Sequence, residues 1–264
     1  MNFTDQLGRP VQLNKIPERL VSLVPSQTEL IADLGLEAYL AGITKFCVHP
    51  ANLRKTKTIV GGTKKVHFDK IKALEPELIL CNKEENTKEM VTELEKIAPV
   101  HVSDIKTVED NYSLIKMYAE MLDCRQEASN MIDTIQKARF GFDKNKTHPK
   151  TVLYFIWKDP WMSVGRDTFI HQMLTENNLI NYCEKEVRYP EIDLHRLKPG
   201  DAPDLIFLSS EPYPFKKKHQ KELQALFPKS NIQLVNGEFF SWYGSRLTKA
   251  YEYFKELHIK IMKI

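Results

Sequence analysis

The sequence contains no apolar run approaching about 18 residues, so it offers no segment that could cross a bilayer as a helix. Its opening stretch, MNFTDQLGRPVQLNKIPERL, also lacks the basic head, apolar core and small-residue cleavage site of a secretory signal. We therefore expect a protein that stays in the cytoplasm, or a periplasmic or cell-surface protein whose leader has been removed. The 264 residues suffice for one large domain or for two lobes with cores of their own.

Cysteine and basic charge are too sparse to indicate a metal site or a nucleic-acid partner. The sequence has no CxxC pair and no cysteine with a histidine at metal-ligand spacing, so we interpret the four cysteines as reduced thiols and predict no metal site. These are Cys47, Cys81, Cys124 and Cys183. The formal net charge of +3 is too weak and dispersed to favour nucleic acid. One dense basic run, KKKHQK at 216–221, begins a helical pattern and is interpreted as a solvated face.

Signatures of catalysis are also missing. The chain has no Ser-His-Asp signature, nucleophile elbow, phosphate-binding loop or zinc motif, and VGGT at 60–63 lacks the spacing of a dinucleotide-binding loop. We therefore predict no catalytic residues and no catalytic cofactor. The remaining enzyme alternative is an activity on a tetrapyrrole or corrinoid, which turnover of the bound macrocycle would reveal.

Strand and helix patterns alternate over the first part of the chain. Strands are predicted at residues 20–24, 41–44, 58–60, 77–81 and 100–102, and helices after Pro25, at 68–74 and at 86–98. In the first helix, Ser26 and Glu29 have the spacing of a capping box, and Gly35 is placed to end the helix.

The middle of the chain has the pattern of helices alone. Residues 107–142 contain no strand signal and no proline, and a helix over 125–142 would be roughly 27 Å long. Alternation then resumes, with strands at 151–157, 204–209 and 232–235 and helices from 167, over 217–227 and from about 245. We predict an α/β fold of two Rossmann-like lobes with parallel sheets, 1–123 and 146–264, joined by a single long backbone helix at 124–145.

Aromatic residues are concentrated where the predicted strands end. The stretch GEFFSWYGSRL, 237–247, places four aromatic residues within five positions, and all three tryptophans of the chain lie in strand-end loops. Parallel-sheet folds bind ligands at the carboxyl ends of their strands, so we predict a ligand cleft between the lobes at these loops.

These segments together resemble the helical-backbone metal receptors, the class III substrate-binding proteins of ABC importers for vitamin B12, ferric siderophores and haem. The resemblance covers nearly the whole chain and is carried, in order, by RLVSLVPSQTELIADLGL, ALEPELIL, WKDPWMSVGRDTFIHQML, LSSEPYPF and FFSWYGSRL. It is closest to the cobalamin-receptor branch, in versions that lack a leader. It implies two lobes joined by a rigid helix, with a flat metal chelate, most simply cobalamin, held between them without catalysis. We expect a monomer.

Aromatic side chains could supply much of the affinity for such a ligand. A Trp or Phe that covers a flat ligand hides about half of its roughly 200 Å², which contributes about 2.5 kcal/mol. Three such contacts together approach the roughly 8 kcal/mol of binding free energy that a micromolar Kd requires. Stacking does not distinguish one flat ligand from another, so polar groups must supply the specificity. The predicted ligand-binding residues are Phe46, His49, Lys64, Glu84, Glu85, Trp157, Trp161, Arg166, Glu211, Tyr213, Phe239, Phe240, Trp242, Tyr243 and Arg246.

Several of these residues have a purely structural alternative. Arg246 could instead pair with a carboxylate at the start of the last helix. His49 could ligate a bound cobalt or iron, or could be a hydrogen-bonding surface group. Trp157 could belong to the core because it ends a strand, which makes Trp161 the better cleft candidate.

The resemblance also implies two docking positions for a transporter. Importer receptors of this kind usually present one glutamate on the upper surface of each lobe to arginines of an ABC importer permease. The corresponding positions here are Asp69, which keeps the charge, and His195, which does not. The sequence therefore predicts a protein that has left the importer role or performs it weakly, unless Glu191 or Asp193 supplies the missing charge.

Overall fold

The computed structural model describes residues 1–142, 148–197 and 202–262. The chain divides into two compact units. Unit 1 comprises Met1–Lys137 and Tyr243–Thr248, and unit 2 comprises Ala138–Trp242 and Lys249–Ile264. Among the described residues, no helix is both long enough and apolar enough to span a membrane.

Unit 1 contains a short antiparallel hairpin and a parallel sheet. The hairpin pairs β1 (Asn2–Thr4) with β2 (Pro10–Gln12). The sheet has five parallel strands: β3 (Leu20–Ser22), β4 (Leu40–Ile43), β5 (Thr58–Ile59), β6 (Leu78–Asn82) and β7 (Val100–Ser103). Their spatial order is β5-β4-β3-β6-β7. Strands β3, β6 and β7 are buried along their whole length, including the polar side chains of Ser22, Asn82, His101 and Ser103.

Six helices follow these strands. They are α1 (Pro25–Ile31), α2 (Leu53–Thr56), α3 (Phe68–Ala73), α4 (Lys88–Leu94), α5 (Val108–Met121) and α6 (Arg125–Phe140). Threonine hydroxyls cap α4 and α5: Thr87 accepts from the backbone N–H of Met90, and Thr107 forms a capping box with Asp110. Helix α6 corresponds to the predicted backbone helix and runs along the chain from unit 1 into unit 2. Positions 143–145 of that prediction lie outside the described residues.

The predicted capping box at Ser26 is wrong. Helix α1 begins at Pro25, whose fixed φ suits the first helical position, and Ser26 lies inside the helix. The Glu29 carboxylate pairs with Arg246 instead of returning to the helix start. Gly35 does adopt the left-handed conformation, with φ of 80°, where the segment after α1 turns.

Unit 2 is built on a second parallel sheet. Its strands are β8 (Lys150–Phe155), β9 (Leu179–Asn181), β10 (Leu205–Ser209) and β11 (Asn231–Val235), in the order β11-β10-β8-β9. Its helices are α7 (Phe169–Glu176), α8 (Lys217–Leu226), α9 (Glu238–Ser241) and, from Lys249 onward, α10 (Leu247–Met262). The core of unit 2 joins apolar residues of β8 and β10, such as Phe155 and Leu208, to Leu223 of α8.

The α/β class and the two parallel sheets are confirmed. The β1–β2 hairpin and strand β9 were not predicted, since each strand has only three residues and too short a pattern to detect.

Candidate functional site

The carboxyl ends of β4 and β5 in unit 1 present one large exposed aromatic ring. Phe46 follows β4 and keeps 50% of its surface exposed. Its ring edge packs against Gly62, where an added Cβ would lie 3.2 Å from Phe46 Cε2. The ammonium of Lys45 lies 5.0 Å from the centre of the same ring. Phe46 therefore presents an exposed ring that packs against the backbone at Gly62.

The loop after β6 brings a half-buried carboxyl group to the same end of the sheet. The Asn82 side chain accepts from the backbone N–H groups of Glu84 and Glu85, at 2.8 and 3.2 Å, and so fixes the turn. Burial raises the pKa of Glu85, although Lys64 and the Thr63 hydroxyl oppose the shift. Glu85 therefore holds its proton more tightly than an exposed glutamate does.

A buried hydrogen-bond network lies at the N-terminus of α1. The amide of Gln27 donates to Ser103 Oγ at 2.7 Å and to the Tyr243 hydroxyl at 2.9 Å, and it accepts from the Tyr118 hydroxyl at 2.6 Å. Burial raises the pKa of Tyr243 to about 12, so its hydroxyl stays protonated near neutral pH. These contacts attach Tyr243 to the interior of unit 1.

Arg246 also lies inside unit 1. Its Nε donates to Glu29 Oε2 at 2.9 Å, and both side chains are almost fully buried. Of the two interpretations of Arg246, the structure supports pairing with a carboxylate. The partner lies on α1, however, and not at the start of the last helix. We therefore leave Arg246 and Tyr243 out of the proposed ligand contacts.

Unit 2 carries an aromatic cluster at the carboxyl ends of β8 and β10. We define the aromatic cluster as Trp157, Trp161, Tyr213 and Phe215. Trp157 packs edge to face on Tyr213 at 5.5 Å, Tyr213 contacts Phe215 at 4.7 Å, and Phe215 stacks on Trp161 at 5.7 Å with an interplanar angle of 12°.

Within the aromatic cluster, the two tryptophans exchange their predicted roles. Trp157 is 40% exposed, whereas Trp161 is half-buried and packs 4.7 Å from the core residue Phe155. Of the two rings, Trp157 is therefore the more exposed and the one we propose as a ligand contact. Strand β8 ends at Phe155, so Trp157 lies two residues beyond the strand and its ring is not part of the sheet.

Glu211 binds two residues of the aromatic stretch 237–247. Its Oε1 accepts from Ser241 Oγ at 2.6 Å and from the Trp242 indole N–H at 2.9 Å. Trp242 is buried, so this bond fixes its ring rather than presenting it. Phe239 is half-buried and stacks on Tyr253 at 4.6 Å.

Phe240 does not contribute to a binding surface. It has no exposed area and packs against Tyr154, Phe207 and Phe254. The expectation that it contacts ligand is corrected to a core role.

The remaining predicted polar residues lie on surface loops. His49 is half-buried, Lys64 donates to the backbone carbonyl of Glu84, and Arg166 donates to the carbonyl of Lys185 at 2.8 Å. Within the described parts of the chain, no group of three or more His, Cys, Asp or Glu side chains could hold a metal ion.

One residue that packs against the aromatic cluster, His219, was not predicted from the sequence. His219 belongs to the basic run interpreted as a solvated face, yet it is only 4% exposed. Its ring packs on Tyr213 and Phe215. Its place at the third position of α8, three residues after Lys216, was the available signal.

The two predicted docking positions are exposed. Asp69 lies in the first turn of α3, and His195 lies in a short 3-10 turn of unit 2. The Asp193 carboxylate accepts from the His195 backbone N–H at 3.0 Å and pairs with Arg196 at 3.1 Å. Both acidic neighbours are exposed, and Asp193 is also engaged by its own turn.

Comparisons with known proteins agree on the family. The family model described as periplasmic binding protein matches residues 20–227. An uncharacterized ABC transporter substrate-binding lipoprotein of Bacillus subtilis is 25% identical over 184 residues, which span 66% of this chain but only 58% of that protein. The vitamin B12-binding protein of Pectobacterium atrosepticum is 22% identical over 244 residues, which span 89% of this chain and 86% of that protein.

Solved structures show the same fold. The periplasmic vitamin B12 binding protein of Vibrio cholerae superposes with a TM-score of 0.77 at 18% identity, covering 94% of this chain and 99% of that one. A periplasmic heme-binding protein from Roseiflexus sp. superposes with a TM-score of 0.79 at 17% identity, covering 93% and 98%. At these identities the likeness extends to the fold alone.

Proposed function

Because the chain belongs to the periplasmic binding protein family, we propose that it binds a flat metal chelate without catalysis. A corrinoid such as cobalamin is the first choice, and a ferric siderophore or haem comes next. The relative named for vitamin B12 supports the first choice, and a structure named for heme shares the fold.

The observation that carries the proposal is an exposed aromatic ring at the strand ends of each unit. Phe46 and Trp157 keep 50% and 40% of their surface exposed, although rings of this size are usually covered. Each ring is supported by its neighbours, Gly62 in one case and Tyr213 in the other. Rigid, exposed rings lose little entropy when a flat ligand stacks on them.

Polar groups beside these rings are proposed to select the ligand. Glu85 reaches the strand-end face of unit 1 as a half-buried carboxyl, and Glu211 lies two residues before Tyr213 in unit 2. Both can accept hydrogen bonds from the amide rim of a corrinoid. We also keep three residues of the strand-end loops as proposed ligand contacts: His49, Lys64 and Phe239.

A thermal-shift experiment tests the proposal. Dicyanocobinamide, cyanocobalamin, hemin and a ferric catecholate are each added at about 100 μM, roughly a hundredfold above a micromolar Kd. At least one should stabilise the folded chain by about 2.7 kcal/mol, which raises Tm by about 5–10 °C. The chelate should be recovered with an unchanged absorption spectrum. A chemically altered chelate would favour an enzyme, and no shift with any of the four would refute the proposal.

We further propose that docking to an ABC importer is weak. Asp69 offers the one matching carboxylate, whereas His195 leaves its arginine partners unpaired, which costs about 2–5 kcal/mol at a buried interface. In this proposal the protein stores, senses or passes on its ligand instead of serving as an importer receptor.

A further inference from the structure

The N-terminus of α8 is capped by an imidazole ring. The backbone N–H of Lys216 donates to His219 Nδ1 at 3.0 Å. Here a histidine at the third helical position replaces the Glu or Gln of a capping box. Because Nδ1 accepts this bond, the ring is neutral and carries its proton on Nε2, which faces the Tyr213 hydroxyl at 3.5 Å.

The same ring supports the aromatic cluster from behind. His219 meets Phe215 at 5.4 Å with a 90° interplanar angle, and it meets Tyr213 at 5.5 Å. Tyr213 in turn contacts the exposed ring of Trp157, and Phe215 stacks on Trp161. The capping bond and the cluster therefore share one residue.

The charges that face His219 oppose its protonation. Burial lowers its pKa, and three lysines add to this effect: Lys218 on α8, Lys158 from the loop after β8, and Lys216 just before α8. The carboxylate of Glu222, which is paired with Lys158, acts in the opposite direction. The ring therefore stays neutral at neutral pH and gains a proton only on the acid side of pH 6.5.

We propose that His219 is a positioning residue for the aromatic cluster and that its protonation releases the cluster. A proton added at Nδ1 turns the acceptor into a donor, so two N–H groups then face each other at the start of α8. The capping bond is lost, and a new positive charge lies close to three lysines. The loop that holds Tyr213 and Phe215 then loosens, and Trp157 loses its support. This inference rests on the proposed function only where it concerns ligand affinity.

Tryptophan emission of the ligand-free protein tests the structural part. All three tryptophans belong to unit 2, so their emission reports on this unit. Between about pH 7.5 and about pH 5, wild-type emission should shift to the red reversibly as Trp161 becomes hydrated. His219→Asn keeps an acceptor for the Lys216 N–H but does not titrate, so its emission should stay constant. His219→Leu has no acceptor and should emit to the red at both pH values. The control His148→Asn, at an exposed position of unit 2, should behave as wild type.

Ligand titration tests the functional part. The Kd of wild type for dicyanocobinamide should rise about tenfold over the same pH change, and that of His219→Asn should not. Absence of dicyanocobinamide binding at every pH refutes the first choice of ligand, a corrinoid, and the emission measurements then test His219 on their own. A His219→Asn variant that shifts with pH as wild type does, in either measurement, overturns the inference.

Discussion

Arg246 and Glu29 form an almost fully buried ion pair in unit 1, with 2.9 Å between Nε and Oε2. The two residues are 217 positions apart in the chain. The pair therefore fastens the short segment Tyr243–Thr248 to helix α1 within the same unit.

Breaking this pair from one side should destabilise the protein strongly. Arg246→Met leaves the Glu29 carboxylate buried without its partner, which should lower the free energy of unfolding by about 3–5 kcal/mol in urea titrations. The double variant Glu29→Leu, Arg246→Met should recover most of this loss. Lys96→Met breaks an exposed pair with Glu93 and should cost less than about 1 kcal/mol. Equal losses for the buried and exposed pairs would contradict the structural role of Arg246.

Removing the exposed rings should weaken chelate binding without unfolding the chain. Trp157→Ala and Phe46→Ala each delete a surface worth about 2.5 kcal/mol, so each should raise Kd by about 70-fold. Equilibrium dialysis with dicyanocobinamide measures the change. Leu226→Ala, which removes an exposed apolar side chain from the far end of α8, is the control and should bind as wild type. Unchanged affinity in both ring variants would exclude these rings from the site.

Stability should decline as the pH falls below 6.5 because of His101. Burial lowers the pKa of His101 from 6.5 to about 4, so the unfolded chain takes up its proton first. The neutral His101 ring contributes about 3 kcal/mol to the free energy of unfolding. This contribution is fully present above pH 6.5 and is lost as the pH falls from 6.5 to about 4. Urea titrations at several pH values should show a shallower decline for His101→Gln than for wild type or the exposed control His195→Gln. An identical decline in all three would show that His101 is not buried in its neutral form.

A carboxylate introduced at position 195 should strengthen the proposed docking to a transporter. His195→Glu should increase capture of the protein by the host's corrinoid-type ABC importer, and Asp69→Ala should reduce any residual capture. A pull-down with the purified importer measures both. Tight docking of the wild type that Asp69→Ala abolishes would contradict the proposed loss of the importer role. It would also point to Glu191 as the second charge.

The elements of the fold were largely predictable because their signals are local. Helix α6 and strands β6 and β10 follow from the spacing of apolar residues within a single segment. The partners of polar side chains were not predictable in this way. Glu29 fitted a local capping box, but a partner 217 residues away binds it in the folded chain.

The exposure of individual side chains at the candidate site could not be predicted from the sequence either. Trp157 and Trp161 lie in the same loop, and sequence proximity to the strand suggested the wrong one as the core residue. Their burial depends on Phe215, which comes from another loop and covers Trp161 alone. His219 was missed for the same reason, since neighbouring lysines hid its inward orientation within a polar run.

The most direct measurement of the proposed chelate binding is a titration of tryptophan emission with dicyanocobinamide, cyanocobalamin and hemin. Because Trp157 is exposed at the carboxyl end of β8, a bound chelate should quench emission saturably, with a Kd of about 1 μM or lower for at least one of them. Trp157→Phe should keep the affinity but lose most of the quenching. Emission that none of the three chelates changes up to about 100 μM, or quenching that rises linearly without saturation, would contradict the proposed binding of a corrinoid or haem.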